Sequence, residues 1–393
     1  MRMRVRWYLL IAGLFLIPTA GFAQTDVPPV IFTGPLSGPR PESGGLYVGF
    51  QFVYMNTNRN LGSQQVAKRG FKDLDGQAAG VPPGAFVGSG EEALNVSQLR
   101  GPGQYEPGFD LFFGWKFEGG VAVELGWRHL TQVRYHAAAD IIPFSFNVGN
   151  LFENTFLFAP VSNFNVNWAG AQPVLPNGTI NSTFGIWNAA SSMTIDFTQR
   201  YDIYTINARI PVWETADHRT YGLFGPRIVW IWERFSWRTI QIDKDGNTGP
   251  EAEALYSNTV SNRMYGVHCG GGHDWFLGDT RIGAFAFNLD LEGALYVDLV
   301  KTTANYVRGD GLFSSGRSGR LSSIVPSAEL RAGLKWYVWE GITIEAGYDI
   351  QTYFNTLASR KPIDFDLGSV DPEFNHIFFR WYHGMRLGIS FSF

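Results

Sequence analysis

The sequence predicts an all-β chain closed into a transmembrane antiparallel up-and-down β-barrel of about ten strands. Three observations carry this prediction. Apolar and polar side chains alternate with a period of two, the alternating runs are too long for a soluble sheet, and short connections alternate with long ones along the chain. Composition agrees: 393 residues with 45% hydrophobic, 16% aromatic and only 17% charged side chains can bury a large apolar area with few charges. A mean hydropathy of -0.08 is too low for a bundle of membrane helices. Beyond the N-terminus no uninterrupted apolar run approaches the ~18 residues of a spanning helix.

The chain opens with MRMRVRWYLLIAGLFLIPTAGFA: basic at Arg2, Arg4 and Arg6, apolar from Trp7 to Ile17, small at Gly21 and Ala23. This is the pattern of a secretory signal peptide over residues 1–23. Its removal takes three arginines and moves the formal charge from -4 to -7, which argues against a basic surface and a nucleic-acid partner. Residues 24–44 carry Pro28, Pro29, Pro35, Pro39 and Pro41 and predict an extended periplasmic tail. Cys269 is the only cysteine, so an internal disulfide, a Cys-rich zinc site and an Fe-S cluster are excluded. None stands near residue 23 to carry an acyl anchor.

The barrel is predicted over residues 45–393, its regular pattern starting at Leu46. In 108–118 the odd positions Phe109, Leu111, Phe113, Trp115 and Phe117 are apolar against Asp110, Lys116 and Glu118; in 121–129, Val121, Val123, Leu125 and Trp127 stand against Glu124 and Arg128. A Glu-Gly-Gly turn joins them as a hairpin. In 281–300, Phe285, Phe287, Leu289, Leu291, Leu295, Val297 and Leu299 alternate with Asn288, Asp290, Glu292 and Asp298. Soluble strands run ~5 to 6 residues, whereas a tilted membrane strand needs ~9 to 11 in the hydrocarbon alone. Further strands fall near 193–210, 221–238, 258–276, 323–339, 342–355 and 376–393. Phe144, Phe146, Val148, Phe164, Val166 and Trp168 could supply another hairpin and raise the count to twelve.

The connections at 119–120, 211–220, 277–280 and 340–341 are short, and those at 58–106, 134–192, 240–257, 301–322 and 356–375 are long. Tight periplasmic turns at one rim and long extracellular loops at the other produce this order and place both termini in the periplasm. In the hairpin around 340–341, Leu330, Leu334, Trp336, Val338, Ile342, Ile344 and Ile350 face lipid, while Glu329, Arg331, Lys335, Glu345 and Asp349 face inward; only Glu340 breaks the parity. Pairing Val338 with Ile342 sets Trp336 opposite Ile344 and Lys335 opposite Glu345, as an ion pair inside the barrel.

The C-terminus, MRLGISFSF, sets Leu387, Ile389, Phe391 and Phe393 on one face and resembles the assembly signal of bacterial outer-membrane β-barrel proteins. With the signal peptide and the hairpins, the whole mature chain resembles the porin-like, pore-forming outer-membrane family. The resemblance implies a bacterial outer-membrane location, outer-membrane lipids as surroundings and insertion by the outer-membrane barrel assembly machinery. The chain departs from general porins in having about ten strands where an aqueous channel takes ~16 to 18, and it lacks their trimer-forming signature, although a homo-oligomer is compatible with the pattern.

The predicted selectivity-setting lumen residues are Lys116, Glu124, Arg128, Asp290, Glu292, Glu329, Arg331, Lys335, Glu345, Asp349, Arg380 and Arg386, with Asp110, Glu118, Arg200, Asp202, Arg227, Glu233 and Asp298 also assigned inward. Either they line a constricted, weakly cation-preferring path or they close the lumen as a salt-bridge network. The stretch HCGGGHDW offers His268, His273 and Asp274 as metal ligands or a proton-transfer set, but the histidines differ in parity, and Gly270 to Gly272 read more simply as a bend or bulge. DKDGNTGPE at 243–251 misses the spacing of a calcium loop, and Arg308-Gly309-Asp310 is too short to count as an adhesion motif. Trp127, Trp213, Trp237, Trp275, Trp339 and Tyr353 are expected in interfacial girdles, and Trp168 and Trp187 in ordinary loop packing. No catalytic residue, metal or cofactor is expected. The expected function is passive passage of small solutes or ions through a narrow charged lumen; the alternatives are a non-conducting structural or adhesive barrel acting through its long loops and, third, an outer-membrane hydrolase.

Overall fold

A computed structural model describes residues 45–58, 61–73, 85–100, 105–140, 153–163, 168, 186–187, 190–215, 217–242, 248–339, 341–359, 361–371 and 376–393. The predicted signal peptide, the whole proline-rich tail, Glu340, Asp243 to Asn247 and most of the aromatic positions between 144 and 166 lie outside the described residues.

In chain order the strands are β1 (Gly45–Thr57), β2 (Gln65–Asp73), β3 (Ala85–Asn95), β4 (Glu106–Lys116), β5 (Ala122–Asp140), β6 (Glu153–Phe158), β7 (Ser192–Glu214), β8 (His218–Ile240), β9 (Glu253–Thr280), β10 (Gly283–Arg308), β11 (Ser314–Trp339), β12 (Ile342–Ala358) and β13 (His376–Ser392). Ten of them form one closed antiparallel barrel in the order β1-β13-β12-β11-β10-β9-β8-β7-β5-β4. Closure is made by β1, which pairs with β13 on one side and β4 on the other. The remaining three, β3-β2-β6, form a separate small sheet at the rim away from the termini. β6, from the stretch expected to hold an extra barrel hairpin, joins this sheet instead.

One connection differs from expectation. The segment 301–322, read as a long loop, continues as β-structure: β10 runs to Arg308, β11 starts at Ser314, and the ladder between them extends from Ala284↔Tyr337 to Val307↔Ser314. Its glycines, serines and arginines lost the apolar alternation because this part of the strands lies beyond the apolar belt, where the outward face need not be greasy. At ~3.3 Å per residue, the 28 residues of β9 run about 90 Å along the strand, far more than a tilted strand needs to cross a membrane. The upper half of the barrel therefore projects past the belt.

Interior packing comes in layers. Nearest the termini is a polar, charged layer. Above it lies a cluster containing Val53, Met55, Tyr201, Ile231, Met264, Tyr296, Tyr353 and Tyr382. At the far rim a larger cluster joins the upper strands to the connecting segments through Val66, Leu94, Leu157, Trp187, Trp237, Tyr256, Tyr306 and Leu367. Trp187 packs at a tilt on both Trp237 and Tyr306, with ring centres 4.4 and 5.6 Å apart. Two expected girdle residues, Trp237 and Tyr353, are thus fully buried inside; their strand parity, which places them with Phe235 and Gln351, overrides the tendency of aromatics to sit at interfaces. Trp127, Trp213 and Trp339 do face outward. Trp168 stacks on Tyr306, and the tyrosine hydroxyl donates to the Trp168 carbonyl.

Candidate functional site

The barrel interior gathers the charge that the sequence alternation sends inward. On β10 every outward position from Phe285 to Leu299 is apolar or glycine, while Asn288, Asp290, Glu292, Tyr296 and Asp298 on the opposite parity are buried. The twelve residues expected in the lumen lie on the inward face of their strands. Glu118, by contrast, lies in the exposed turn between β4 and β5. Arg200 and Asp202 of β7 face outward, since the inward parity there is held by Gln199, Tyr201 and Ile203. Asp202 accepts hydrogen bonds from the Trp127 indole and lies 2.7 Å from Nδ1 of His129.

The inward charges meet in one continuous network. Arg128 holds Asp110 and Asp349 at 2.8 Å each; Asp349 also receives Arg386, which reaches Glu345 at 2.6 Å. Glu329 accepts from Arg227 at 2.8 Å and Arg331 at 2.6 Å and lies 3.7 Å from Arg128, while Arg227 also binds Glu292. Four guanidiniums are thereby interleaved with five carboxylates. Gln51 donates to Glu345, extending the network to β1, and Gln351 of β12 donates to Glu329. One level above, Arg380 grips Glu233 with both terminal nitrogens, and Gln199 donates to the same carboxylate. Arg128, Arg227, Glu292, Glu329, Asp349, Arg380 and Arg386 are 0–4% exposed, so solvent scarcely reaches them. Fixed like-signed charges cannot be packed this tightly; alternation of sign is what makes the burial affordable.

The predicted Lys335↔Glu345 register is present, with Trp336 opposite Ile344. The turn beyond it differs: Ile342 pairs with Trp339, because a shift between Tyr337 and Trp339 leaves Val338 as the extra residue. The ion pairs also differ from the register. Lys335 binds Asp274 of β9 at 2.9 Å, across the small side chain of Ala286, and Glu345 goes to Arg386. In a narrow cylinder a long side chain reaches a strand two places away as readily as its direct neighbour.

HCGGGHDW does not assemble a site. His268 points inward, 3.8 Å from Glu292; His273 points outward to Thr220 and His218; Asp274 is held by Lys335 and Asn288. Nor do its glycines bend the strand, for Gly270 to Gly272 pair without interruption to β8 and β10. They clear space instead. A Cβ on Gly272 would fall 2.1 Å from a carboxylate oxygen of Asp290 and 2.3 Å from the Tyr221 ring, whose hydroxyl donates to that carboxylate. In the hairpin turn above, Arg308 and Asp310 bind each other.

Outside, the complementary surface is apolar: Phe50, Phe52, Leu111, Phe113, Trp115, Leu125, Phe224, Val267, Leu291, Leu295, Val297, Leu334 and Leu387 are all exposed. A closed cylinder with charge within and an aromatic and aliphatic belt without is stable only where hydrocarbon replaces water. The chain is a bacterial outer-membrane β-barrel. Its last strand ends in outward Leu387, Ile389, Phe391 and Phe393, the last donating its backbone N–H to the Leu46 carbonyl at the seam.

No protein-family model and no curated protein matches the chain. Among solved structures it is similar to the outer-membrane protease OmpT from Escherichia coli, at 10% identity over 89% of this chain and 97% of that one, with a TM-score of 0.38. It is also similar to a Pseudomonas aeruginosa FadL homologue, at 11% identity over 89% of each chain with a TM-score of 0.18. An anion-selective porin from Comamonas acidovorans aligns at 11% identity over 89% of this chain and 100% of that one, with a TM-score of 0.12.

Proposed function

We propose that this barrel is non-conducting and acts as a rigid outer-membrane scaffold that presents its projecting half at the cell surface. The supporting observation is the centre of the interleaved network, where Glu329, Arg128, Arg227 and Asp349 are each within 4% of complete burial. A water-filled path would leave those side chains hydrated, as charged lumen residues of open pores are. The two apolar clusters stacked above the network add a second and third obstruction. The narrow charged passage expected from the alternation is thereby turned into a brace: the same residues point inward, but they consume one another's charge. We assign the surface half a recognition or structural role and no catalytic one, and we expect insertion through the barrel assembly machinery by way of β13.

The test is planar-bilayer recording of the refolded protein. Scaffold function requires silence across repeated insertions, from the unaltered protein and also from Arg128→Ala with Arg227→Ala, in which the two apolar clusters above the network still close the bore. Stepwise, salt-dependent currents from the unaltered protein would return the narrow-channel reading, and turnover of a lipid or peptide ester would return the hydrolase.

A further inference from the structure

We propose that the outward face of β7 to β11, where the apolar belt ends, is a binding strip for the anionic, phosphate-bearing headgroups of lipids in the adjoining leaflet. Each of these five consecutive strands carries an exposed outward cation at or one step beyond the end of its apolar run: Arg200 on β7, one outward step above Asp202, Arg234 on β8, Arg263 on β9, Lys301 on β10, and Arg320 on β11, one outward step above Ser322. The register binds most of them into one row. Arg200 is opposite Trp232, Trp232 opposite Ser261, Ser261 opposite Lys301, and Lys301 opposite Arg320. Arg263 lies one outward step below that row, and Arg234 one above. At about 4.8 Å between strands the row covers about 20 Å of circumference. The Arg200 guanidinium lies 5.0 Å from the centre of the Trp232 ring and donates to Gln132.

Two contrasts give the strip its meaning. Among the described residues none of the five cations forms an ion pair, whereas the cations farther from the belt do: Arg134 with Asp196, Arg238 with Glu253, and Arg317 with Asp371. Among the described residues above the belt, the exposed cations at this level are without an ion pair, and those three farther out have one. The strip also occupies only one flank. The outward upper ends of β12, β13 and β1 carry Phe354, Ile377, Phe379, Trp381 and Tyr54, and no cation. Simple emergence from hydrocarbon into water would not distinguish the flanks. The occupant follows from continuity: acyl chains lying on Trp230, Tyr265, Val297, Leu299 and Ile324 carry their headgroups onto these five side chains. A guanidinium fork with a neighbouring hydroxyl or second cation is the donor set a phosphate monoester or diester accepts.

The experiment uses the full chain in a neutral detergent and counts bound lipid by native mass spectrometry. Dioleoyl phosphatidic acid is compared with dioleoyl phosphatidylcholine. The expected result is at least about tenfold preference for the anionic lipid, abolished in the combined variant R200Q/R234Q/R263Q/K301Q/R320Q and retained in R134Q/R238Q/R317Q, which removes the paired cations. Equal binding of the two lipids, or undiminished preference in the five-site variant, overturns the proposal. Displacement of the lipid by inorganic phosphate at equal concentration would assign the strip to free anions and also overturns it. Should the five-site variant not fold, the unaltered protein still decides: the preference must shrink as sodium chloride is raised, and a salt-independent preference refutes the strip.

Discussion

At the residue scale the molecule is governed by where each charge finds its counterpart. Glu329 serves two guanidiniums directly and a third at 3.7 Å; Glu329, Arg227 and Arg128 are buried and Arg331 is half-buried. Replacing it with Gln leaves that positive charge uncompensated away from water, and the expected loss is about 3 to 5 kcal/mol, read from urea unfolding in detergent. The exposed pair Arg238–Glu253 is the control: Glu253→Gln is expected to cost under about 1 kcal/mol in the same measurement. The contrast between Lys335 and its expected partner shows how far sequence reaches at this scale. Parity and turn length were enough to put Lys335 opposite Glu345. The choice of Asp274 over Glu345 depends on the size of Ala286 in between and on the curvature of the wall, and neither is written in the hairpin. The outward placement of Arg200 and Asp202 was hidden for a related reason: both parities of β7 carry polar residues near 198–202, so the alternation there has no contrast.

Elements are set by backbone clearance as much as by alternation. Gly270 and Gly271 are neighbours with opposite demands. A Cβ at Gly270 would fall 2.2 Å from the Leu291 carbonyl oxygen, which cannot yield without breaking the ladder, while at Gly271 the nearest atom is the Tyr221 carbonyl at 3.2 Å. Gly270→Ala is therefore expected to abolish the heat-modifiable folded band on a gel and Gly271→Ala to weaken it only partly. The far-rim cluster offers a second test. Trp187 is fully buried against Trp237 and Tyr306, and Trp187→Ala should cost about 3 to 5 kcal/mol and expose the connecting segments to added protease. Strand existence and parity were legible wherever one face meets hydrocarbon and the other does not. Above the belt that two-solvent contrast disappears, which is why GRSGRLSS in β11 reads as a loop although it is hydrogen-bonded to β10 throughout.

For the whole molecule the decisive partition is radial. Leu291, near the middle of the belt on β10 and 62% exposed, is expected to be in acyl chains; Leu291→Arg should cost about 2 to 4 kcal/mol in folding into lipid vesicles. Cys269 shares that face, between Val267 and Gly271, and is exposed. In proteoliposomes it is expected to resist a charged thiol reagent and to react with a membrane-permeant maleimide; labelling by both would place β9 out of the bilayer. The sequence was a good guide to this partition and a poor one to whether the interior is open, because identical inward residues can either line a path or satisfy each other, and only their mutual distances tell which.

The seam deserves a temporal reading as well as a spatial one. Since β1 is zipped to β13 over eleven register positions, from Tyr47↔Ser392 to Thr57↔Tyr382, the ring cannot be joined until the final strand has been made. Until β13 is engaged, the strands can form at most an open sheet with bare edges. Any ribosome stall before residue 376 should yield a product fit only for degradation, so quality control at this barrel amounts to checking whether its two ends have met.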